Sequence, residues 1–278
     1  MKALFDNVSH ACSKYTTKLY STSFSLGILL LHKRLRNPIY GIYGFVRLAD
    51  EIVDSFHDFN KHELIERLKA DTAEAIEENI SLNPILNSFQ EVVHQYGIQQ
   101  KHIDAFFHSM EMDLQNITYD DAYYNEYIYG SAEVVGLMCL HVFTEGDMQQ
   151  YEALKPFARK LGAAFQKINF LRDVQADFDK LGRSYFPNVD LRNFSENDKR
   201  EIEKDIKQDF DEALIGIKKL PLSSRGGVYL AYLYYITLFN KIKKTNYSRI
   251  MQERISVSNW KKIYLIFESA VRLSLNTL

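Results

Sequence analysis

The stretch that decides the fold is LGAAFQKINFLRDVQADFDKLGRSYFP, residues 161–187. Its apolar side chains recur at the spacing of one helix face: Phe165, Ile168, Leu171 and Val174. Its polar side chains follow another face over three turns: Gln166, Asn169, Asp173 and Asp177. Lys and Glu dominate solvated helix faces, so amides and Asp carboxylates on an aromatic-rich helix favour a functional wall over plain surface.

On either side of this stretch the chain reads as long helices with short joints. The spacing of apolar residues predicts helices over 11–31, 39–56, 61–80, 84–96, 101–115, 120–143, 149–180, 195–219, 222–244 and 258–275. No segment shows convincing strand alternation, and Gly (12) and Pro (5) are too scarce for the many turns of an all-β fold. We therefore predict one all-α domain over residues 1–278. Its longest irregular stretch, 181–194, has the length of a functional loop.

Composition narrows the class of protein further. Apolar residues form 46% and charged residues 25% of the 278 positions, which is typical of a globular protein. The net charge of −2 gives no support for nucleic-acid binding. Cys12 and Cys139 lie too far apart in sequence for a disulfide scaffold or a cysteine zinc site. The longest strongly apolar run, 227–239, is shorter than the roughly 20 residues that span a bilayer, so it reads as a buried helix or part of a channel wall.

A second acid pair lies in RLADEIVD, residues 47–54. Asp50 and Asp54 share one helix face, with β-carbons roughly 5–6 Å apart, and such like charges need a cation between them. A solvated acidic stripe is the simpler interpretation of this pair alone. Together with Asp173 and Asp177, however, it supplies oxygen ligands that suit Mg²⁺ bridging to phosphate. Direct phosphate contacts would come from Arg47, Arg172 and Arg183.

Three motifs resemble the squalene/phytoene synthases, which join isoprenyl diphosphates head to head. They are YGFVRLADEIVD (43–54), YIYGSAEVVGLM (127–138) and the stretch at 161–187, with a weaker match at YSTSFSLG (20–27). The motifs occur in the family's order over nearly the whole chain, and bacterial phytoene synthases are the members it resembles most. The resemblance implies one isoprenoid-synthase-like helical bundle around a central cavity, in which the two D-x-x-x-D helices face each other.

The resemblance also implies roles for individual residues. The metal ligands would be Asp50, Asp54, Asn169, Asp173 and Asp177. The diphosphate and polar contacts would be Arg47, Arg172, Gln166 and Tyr185. The cavity aromatics would be Phe24, Tyr43 and Tyr129. The chain departs from the family pattern at Tyr20, Thr22 and Glu133, where many relatives have His, Lys and Gly.

The implied reaction is Mg²⁺-dependent, with Mn²⁺ as a substitute, and starts from two prenyl diphosphates. The leading interpretation is formation of phytoene from two C20 geranylgeranyl diphosphates through a cyclopropylcarbinyl diphosphate. The alternative is a C30 enzyme that makes squalene or dehydrosqualene from farnesyl diphosphate, and squalene would require NADPH. Head-to-tail prenyltransferases and terpene cyclases rank third, because the first motif reads Asp50-Glu51 and the second lacks a doubled acid. A catalytically inactive scaffold would require broken acid pairs.

Chain length is predicted from one stripe of the first helix. Phe24, Ile28 and Leu31 fall on one face, and aliphatic residues beyond Phe24 leave room for a C20 tail. Simple core packing explains the same stripe about as well. We expect a cytoplasmic enzyme that contacts the membrane surface reversibly, because the net charge opposes strong electrostatic adhesion. The oligomeric state stays open.

Overall fold

The computed structural model describes residues 2–115, 120–181, 186–187 and 195–274, with 174–181 and 273–274 described by their backbone alone. Every regular element in these ranges is helical, as predicted. The helices are α1 Lys2–Tyr20, α2 Thr22–Leu29, α3 Lys33–Ser55, α4 Lys61–Glu78, α5 Pro84–Tyr96, α6 Gln100–Asp113, α7 Asp121–Ile128, α8 Val134–Phe143, α9 Met148–Leu181, α10 Glu196–Lys219, α11 Leu222–Lys243, α12 Tyr247–Ile250 and α13 Asn259–Ser274. A π-helical turn, Tyr129–Glu133, joins α7 to α8. Within the described ranges, no helix combines the length and apolarity needed to cross a bilayer.

The prediction of one helix over 11–31 is wrong, because the chain breaks at Ser21. The backbone of Ser21 is extended (φ −144°, ψ 104°), and its hydroxyl accepts a hydrogen bond from the Phe24 amide at 3.2 Å. Ser21 is therefore the N-cap of a new helix, α2, which leaves α1 to run from Lys2 to Tyr20. The change of direction places α2 against α11.

Helix α3 begins six residues before the predicted start at Ile39, and Pro38 lies inside it. A proline there removes one backbone hydrogen bond, but packing compensates. Leu35 is fully buried in the core and Pro38 is also buried. The guanidinium of Arg36 donates hydrogen bonds to the Leu29 and Leu31 carbonyls, which the end of α2 leaves without helical partners.

The predicted helix over 120–143 is divided by the π turn. Gly130 lies in this turn, and a β-carbon at that position would overlap the Ala105 carbonyl and approach the β-carbon of Ser109 at 2.7 Å. The glycine in the π turn therefore allows α6 to pack closely against this turn.

Two hydrophobic clusters form the core, and both contribute to the wall of one cavity. The first centres on α3, α5 and α6, where Phe45 stacks on Phe89 with ring centroids 3.9 Å apart. The second centres on α9, α10 and α11, where Phe165 stacks on Tyr235 at 3.9 Å. The cavity lies between these clusters.

Buried charges fix α9 against α10. Lys167 forms ion pairs with Asp205 at 2.5 Å and with Asp209 at 2.6 Å, and Lys160 reaches the other Asp209 oxygen at 2.8 Å. Asp209 is almost fully buried, so these pairs satisfy a charge that would otherwise be costly to bury. They hold the α9 face that carries Gln166 and Asn169 in one orientation.

Candidate active site

A cavity of about 480 Å³ runs between α2, α3, α8, α9, α10 and α11. Its lining changes from apolar to polar in the same direction along α3 and α9. On α3 the lining residues, in chain order, are Ile39, Ile42, Tyr43, Val46, Arg47 and Asp50. On α9 they are Leu154, Phe157, Leu161, Phe165, Gln166, Asn169 and Arg172. The cavity therefore has an apolar deep end and a charged mouth, which suits a ligand with an apolar tail and a polar head.

The α3 side of the mouth carries Asp50 beside Arg47. The Arg47 guanidinium lies 3.9 Å from the Asp50 carboxylate, pairs with Glu51, and covers the ring of Tyr20 at 4.3 Å. Burial, together with the charge of Asp54, raises the pKa of Asp50 to about 7. A third of the Asp50 side chain is still exposed (33%), so its carboxylate remains reachable from the mouth. A carboxyl group in this state gains most from a nearby cation.

The α9 side carries Asp173, held by two arginines. Arg172 donates to both carboxylate oxygens, with Nε–Oδ1 at 3.0 Å and Nη2–Oδ2 at 2.5 Å. Arg254, from the segment between α12 and α13, donates from its Nε to Oδ1 at 2.7 Å. Arg172 and Arg254 both line the cavity, so two guanidinium groups face any anion that enters.

Four aromatic rings line the cavity just inside the mouth. Phe24 lies 5.8 Å from Tyr43, 6.3 Å from Phe165 and 6.2 Å from Tyr235, measured between ring centroids. The Tyr235 hydroxyl donates to Oδ1 of Asn169 at 3.4 Å, and burial raises the pKa of Tyr235 to about 12. The phenol is therefore neutral at physiological pH. Aromatic faces in this arrangement stabilise a cation and exclude water.

The structure brings most of the predicted site residues to this one cavity. The residues that line it are Phe24, Ile28, Tyr43, Arg47, Asp50, Gln166, Asn169 and Arg172. Asp54 follows Asp50 by one turn on α3, and Asp173 contacts the lining residues Arg172 and Arg254. Asp177 belongs to α9, but its side chain, Arg183 and Tyr185 lie outside the described residues.

Tyr129 does not line the cavity. Its ring lies under the Arg159 guanidinium at 5.2 Å, and Arg159 pairs with Glu133 at 2.5 Å. Glu133, one of the departures from the family pattern, thus has a partner outside the cavity. The role that the resemblance implies for Tyr129 stays a prediction.

Sequence reasoning missed Arg254 and Tyr235. Tyr235 falls in the apolar run 227–239, which was expected to form a buried helix or a channel wall, and α11 does both. Arg254 follows no motif and reaches the mouth only through the tertiary fold.

The family sequence model described as squalene/phytoene synthase matches residues 17–261. The chain belongs to the squalene/phytoene synthase family. This family comprises head-to-head isoprenoid synthases, which are prenyltransferases. The chain is 26% identical over 264 residues to a 4,4'-diapophytoene synthase of Staphylococcus haemolyticus, covering 88% of this chain and 90% of that protein. It is also 26% identical over 288 residues to a chloroplastic phytoene synthase of Narcissus pseudonarcissus, covering 95% of this chain but only 65% of the plant protein.

Solved structures show the same fold. A dehydrosqualene synthase in complex with a ligand superposes with a TM-score of 0.84 at 21% identity, covering 97% of this chain and 98% of the other. A squalene synthase from Alicyclobacillus acidocaldarius superposes with a TM-score of 0.73 at 19% identity, covering 86% and 94% of the two chains. The predicted isoprenoid-synthase-like helical bundle around a central cavity is confirmed.

The family uses divalent metal ions to bind prenyl diphosphates, and the oxygen donors of this mouth fit such an ion. Asp50 and Asp54 provide two carboxylates on one face of α3, and burial, followed by the charge of Asp54, raises the pKa of Asp50. A cation beside these carboxylates would stabilise their charged form. Among the side chains that the structure describes, no three acid, His or Cys groups converge on one point. Mg²⁺ usually keeps several waters and bridges to substrate phosphates, so diphosphate oxygens and water would complete its coordination shell.

Proposed function

We propose that this enzyme condenses two molecules of geranylgeranyl diphosphate head to head to give phytoene. The overall reaction releases two diphosphates and two protons and needs no reductant. The observation that carries the proposal is the lining of the cavity: a charged mouth, a ring of aromatic side chains behind it, and an apolar deep end.

The residues of the mouth bind and orient the two diphosphate groups. Arg47, Arg172 and Arg254 offer guanidinium hydrogen bonds to phosphate oxygens. Asp50, Asp54 and Asp173 would hold Mg²⁺, which when bound would supply positive charge to a departing diphosphate. Because Asp173 already binds two arginines, metal binding there requires that it release at least the exposed partner, Arg254.

The aromatic residues serve the cationic stage. Loss of diphosphate from one substrate leaves an allylic cation, and the double bond of the second substrate attacks it. Loss of a proton then closes the ring of the cyclopropylcarbinyl diphosphate. The rings of Phe24, Tyr43, Phe165 and Tyr235 line the part of the cavity where this cation would form. A second ionisation, rearrangement and loss of a proton to the released diphosphate complete the hydrocarbon.

The preference for C20 over C15 substrates rests on Ile28 and Leu31. Both side chains are buried and line the cavity beyond Phe24. An aliphatic side chain at these positions occupies less volume than an aromatic one, which leaves more length for a prenyl tail.

The second candidate is a C30 enzyme that uses farnesyl diphosphate. It is favoured by the Staphylococcus relative, a 4,4'-diapophytoene synthase matched over 90% of its length, and by the fold match to a dehydrosqualene synthase. Squalene as the product would add NADPH as a hydride donor.

One experiment separates these candidates. The purified protein is incubated with Mg²⁺ and either C15 or C20 diphosphate, with and without NADPH, and the hydrocarbons are identified by mass spectrometry. Phytoene from the C20 substrate, independent of NADPH, supports the proposal. A C30 hydrocarbon formed in preference to phytoene would replace it with the second candidate, and the absence of any hydrocarbon would refute both.

A further inference from the structure

Helix α13 exposes an apolar and aromatic face. Trp260 is 83% exposed, Phe267 67% and Tyr264 55%. Ile263 and Val271 are about half exposed and complete the same stripe, because the five positions follow the three- and four-residue spacing of one helix face. Singly exposed apolar side chains are ordinary on a protein surface, but a continuous stripe of this kind marks an interaction site.

The opposite face of α13 is folded against the body of the protein. Leu265 and Ser269 are buried, and the Lys262 ammonium lies 5.4 Å from the centre of the Tyr234 ring on α11. The apolar stripe is therefore the outer surface of a packed helix, with no covering element among the described residues.

Helix α13 packs against α11, a helix that lines the cavity. The Tyr234 ring meets the ring of Tyr235 edge to face at 5.4 Å, and Tyr235 lines the cavity. Helix α13 therefore lies between this outer surface and the cavity wall.

The charges beside the stripe identify its partner. Lys261, Lys262 and Arg272 against Glu268 leave this helix with an excess of two positive charges, although the whole chain carries −2. The Lys261 ammonium lies 4.2 Å from the centre of the Tyr264 ring, at the edge of the apolar stripe. Lys262 faces α11 and Arg272 pairs with Glu268, so Lys261 is the lysine that flanks the stripe. Apolar and aromatic side chains beside an exposed lysine, on a helix of net positive charge, match the boundary between acyl chains and anionic headgroups. A second copy of the same face would instead place like charges together.

We propose that the outer face of α13 docks on the surface of an anionic lipid bilayer, with Trp260, Tyr264 and Phe267 in the headgroup boundary and Lys261 on the headgroups. The purpose of this contact rests on the proposed function, since both the prenyl tails of the substrates and the hydrocarbon product are apolar. The docking itself is measured without turnover.

Trp260 is the one tryptophan of the chain and therefore reports on its own surroundings. Vesicles of phosphatidylcholine with one quarter phosphatidylglycerol should shift its fluorescence emission to shorter wavelength, and brominated lipids should quench it. The double variant Phe267→Gln/Val271→Gln keeps the reporter and the helix propensity, and we expect it to bind these vesicles about tenfold more weakly. Lys261→Glu should weaken binding to the anionic vesicles and leave binding to neutral vesicles unchanged.

The matched control is Leu4→Gln/Tyr15→Gln, which removes two exposed apolar side chains from α1. It should bind vesicles like the parent protein. The proposal is overturned if vesicles leave the Trp260 emission unchanged, or if the α1 variant loses as much vesicle binding as the α13 variant. It is also overturned if the emission shifts with protein concentration in the absence of vesicles, because that result would indicate a second copy of the chain as the partner. Hydrocarbon synthesis in detergent is assayed separately. A protein that makes hydrocarbon but does not bind vesicles would refute only the docking proposal. A protein that binds vesicles but makes no hydrocarbon would refute only the proposed function.

Discussion

Arg254 donates a hydrogen bond from its Nε to Oδ1 of Asp173 at 2.7 Å, although 81 residues separate the two in the chain. The contact joins the segment after α12 to the acidic helix α9 at the cavity mouth. It places a cation beside a carboxylate that the family resemblance assigns to metal binding. The Arg254 side chain is largely exposed, so it is free to exchange Asp173 for a phosphate oxygen.

This contact predicts two opposite effects of Arg254→Gln. The KM for the prenyl diphosphate should rise about tenfold, because one charge-assisted hydrogen bond is lost. The affinity for Mg²⁺ without substrate should rise, because Asp173 loses a competing cation. Steady-state kinetics measure the first effect and calorimetric titration of Mg²⁺ measures the second.

Arg249 offers the matched control. It precedes Arg254 by five residues, is equally exposed at 67%, and pairs with Glu253. Arg249→Gln should change neither quantity. Equal effects of the two substitutions would show that general charge, and not the contact with Asp173, is responsible.

Asp50→Asn tests the metal ligands on α3. Turnover should fall by about a hundredfold or more, because the carboxylate that binds the neutralising ion is lost. The fold should survive, and the metal-free variant should melt no lower than the parent, since Asp50 is a partly buried acid next to Asp54 and its pKa is raised. Mg²⁺ with inorganic diphosphate should raise the melting temperature of the parent more than that of the variant. Asp58→Asn, at an exposed position after α3, is the control; full activity of Asp50→Asn would refute the metal assignment.

Local sequence signals predicted the parts of the fold that depend on local interactions. Helix α5 runs over the predicted residues because Pro84 occupies its first position and Gly97, at φ 65°, ends it in the left-handed region. The break at Ser21 also had a local signal, a serine able to cap Phe24, which the continuous apolar pattern obscured. The early start of α3 had none, because it depends on the burial of Leu35 against other helices.

The residues of the candidate site also fall into those that local sequence signals predicted and those that depend on tertiary packing. Asp50, Arg47, Asn169 and Arg172 were predictable because each helix repeats its polar groups on one face. Arg254 was not, because only the packing of the C-terminal helices brings it to the mouth.

A buried histidine predicts that the protein loses stability in mild acid. His102 is fully buried, its Nε2 lies 3.0 Å from the Tyr151 hydroxyl, and the Tyr151 ring stacks on His141 at 4.0 Å. Burial, and then the nearby His141, lower the pKa of His102 to about 4. Between pH 6.5 and 4 the unfolded chain binds a proton at this residue and the folded chain does not. The free energy of unfolding should therefore fall as the pH falls through this range, by at most about 1.4 kcal/mol per pH unit for this group.

Urea unfolding at pH 7 and pH 5 measures this effect, with His102→Gln as the comparison. The amide can still hydrogen-bond to Tyr151 but does not titrate, so the variant should lose less stability on acidification. The difference between the two proteins isolates His102, because all other titratable groups are common to both. An equal loss of stability in the variant would contradict the assignment.

Ile28→Phe tests whether the wall of α2 measures substrate length. Ile28 is 4% exposed and lines the cavity one turn beyond Phe24. Added volume there should obstruct the longer tail, so kcat/KM for the C20 diphosphate should fall by about tenfold or more, corresponding to roughly 1–3 kcal/mol of overpacking. The value for the C15 diphosphate should fall less. Leu29→Phe adds similar bulk to the next residue of the same helix, which is 46% exposed, and should leave both values unchanged. If a folded Ile28→Phe protein keeps the parent's ratio of C20 to C15 use, this stripe packs the core and substrate length is set elsewhere in the cavity.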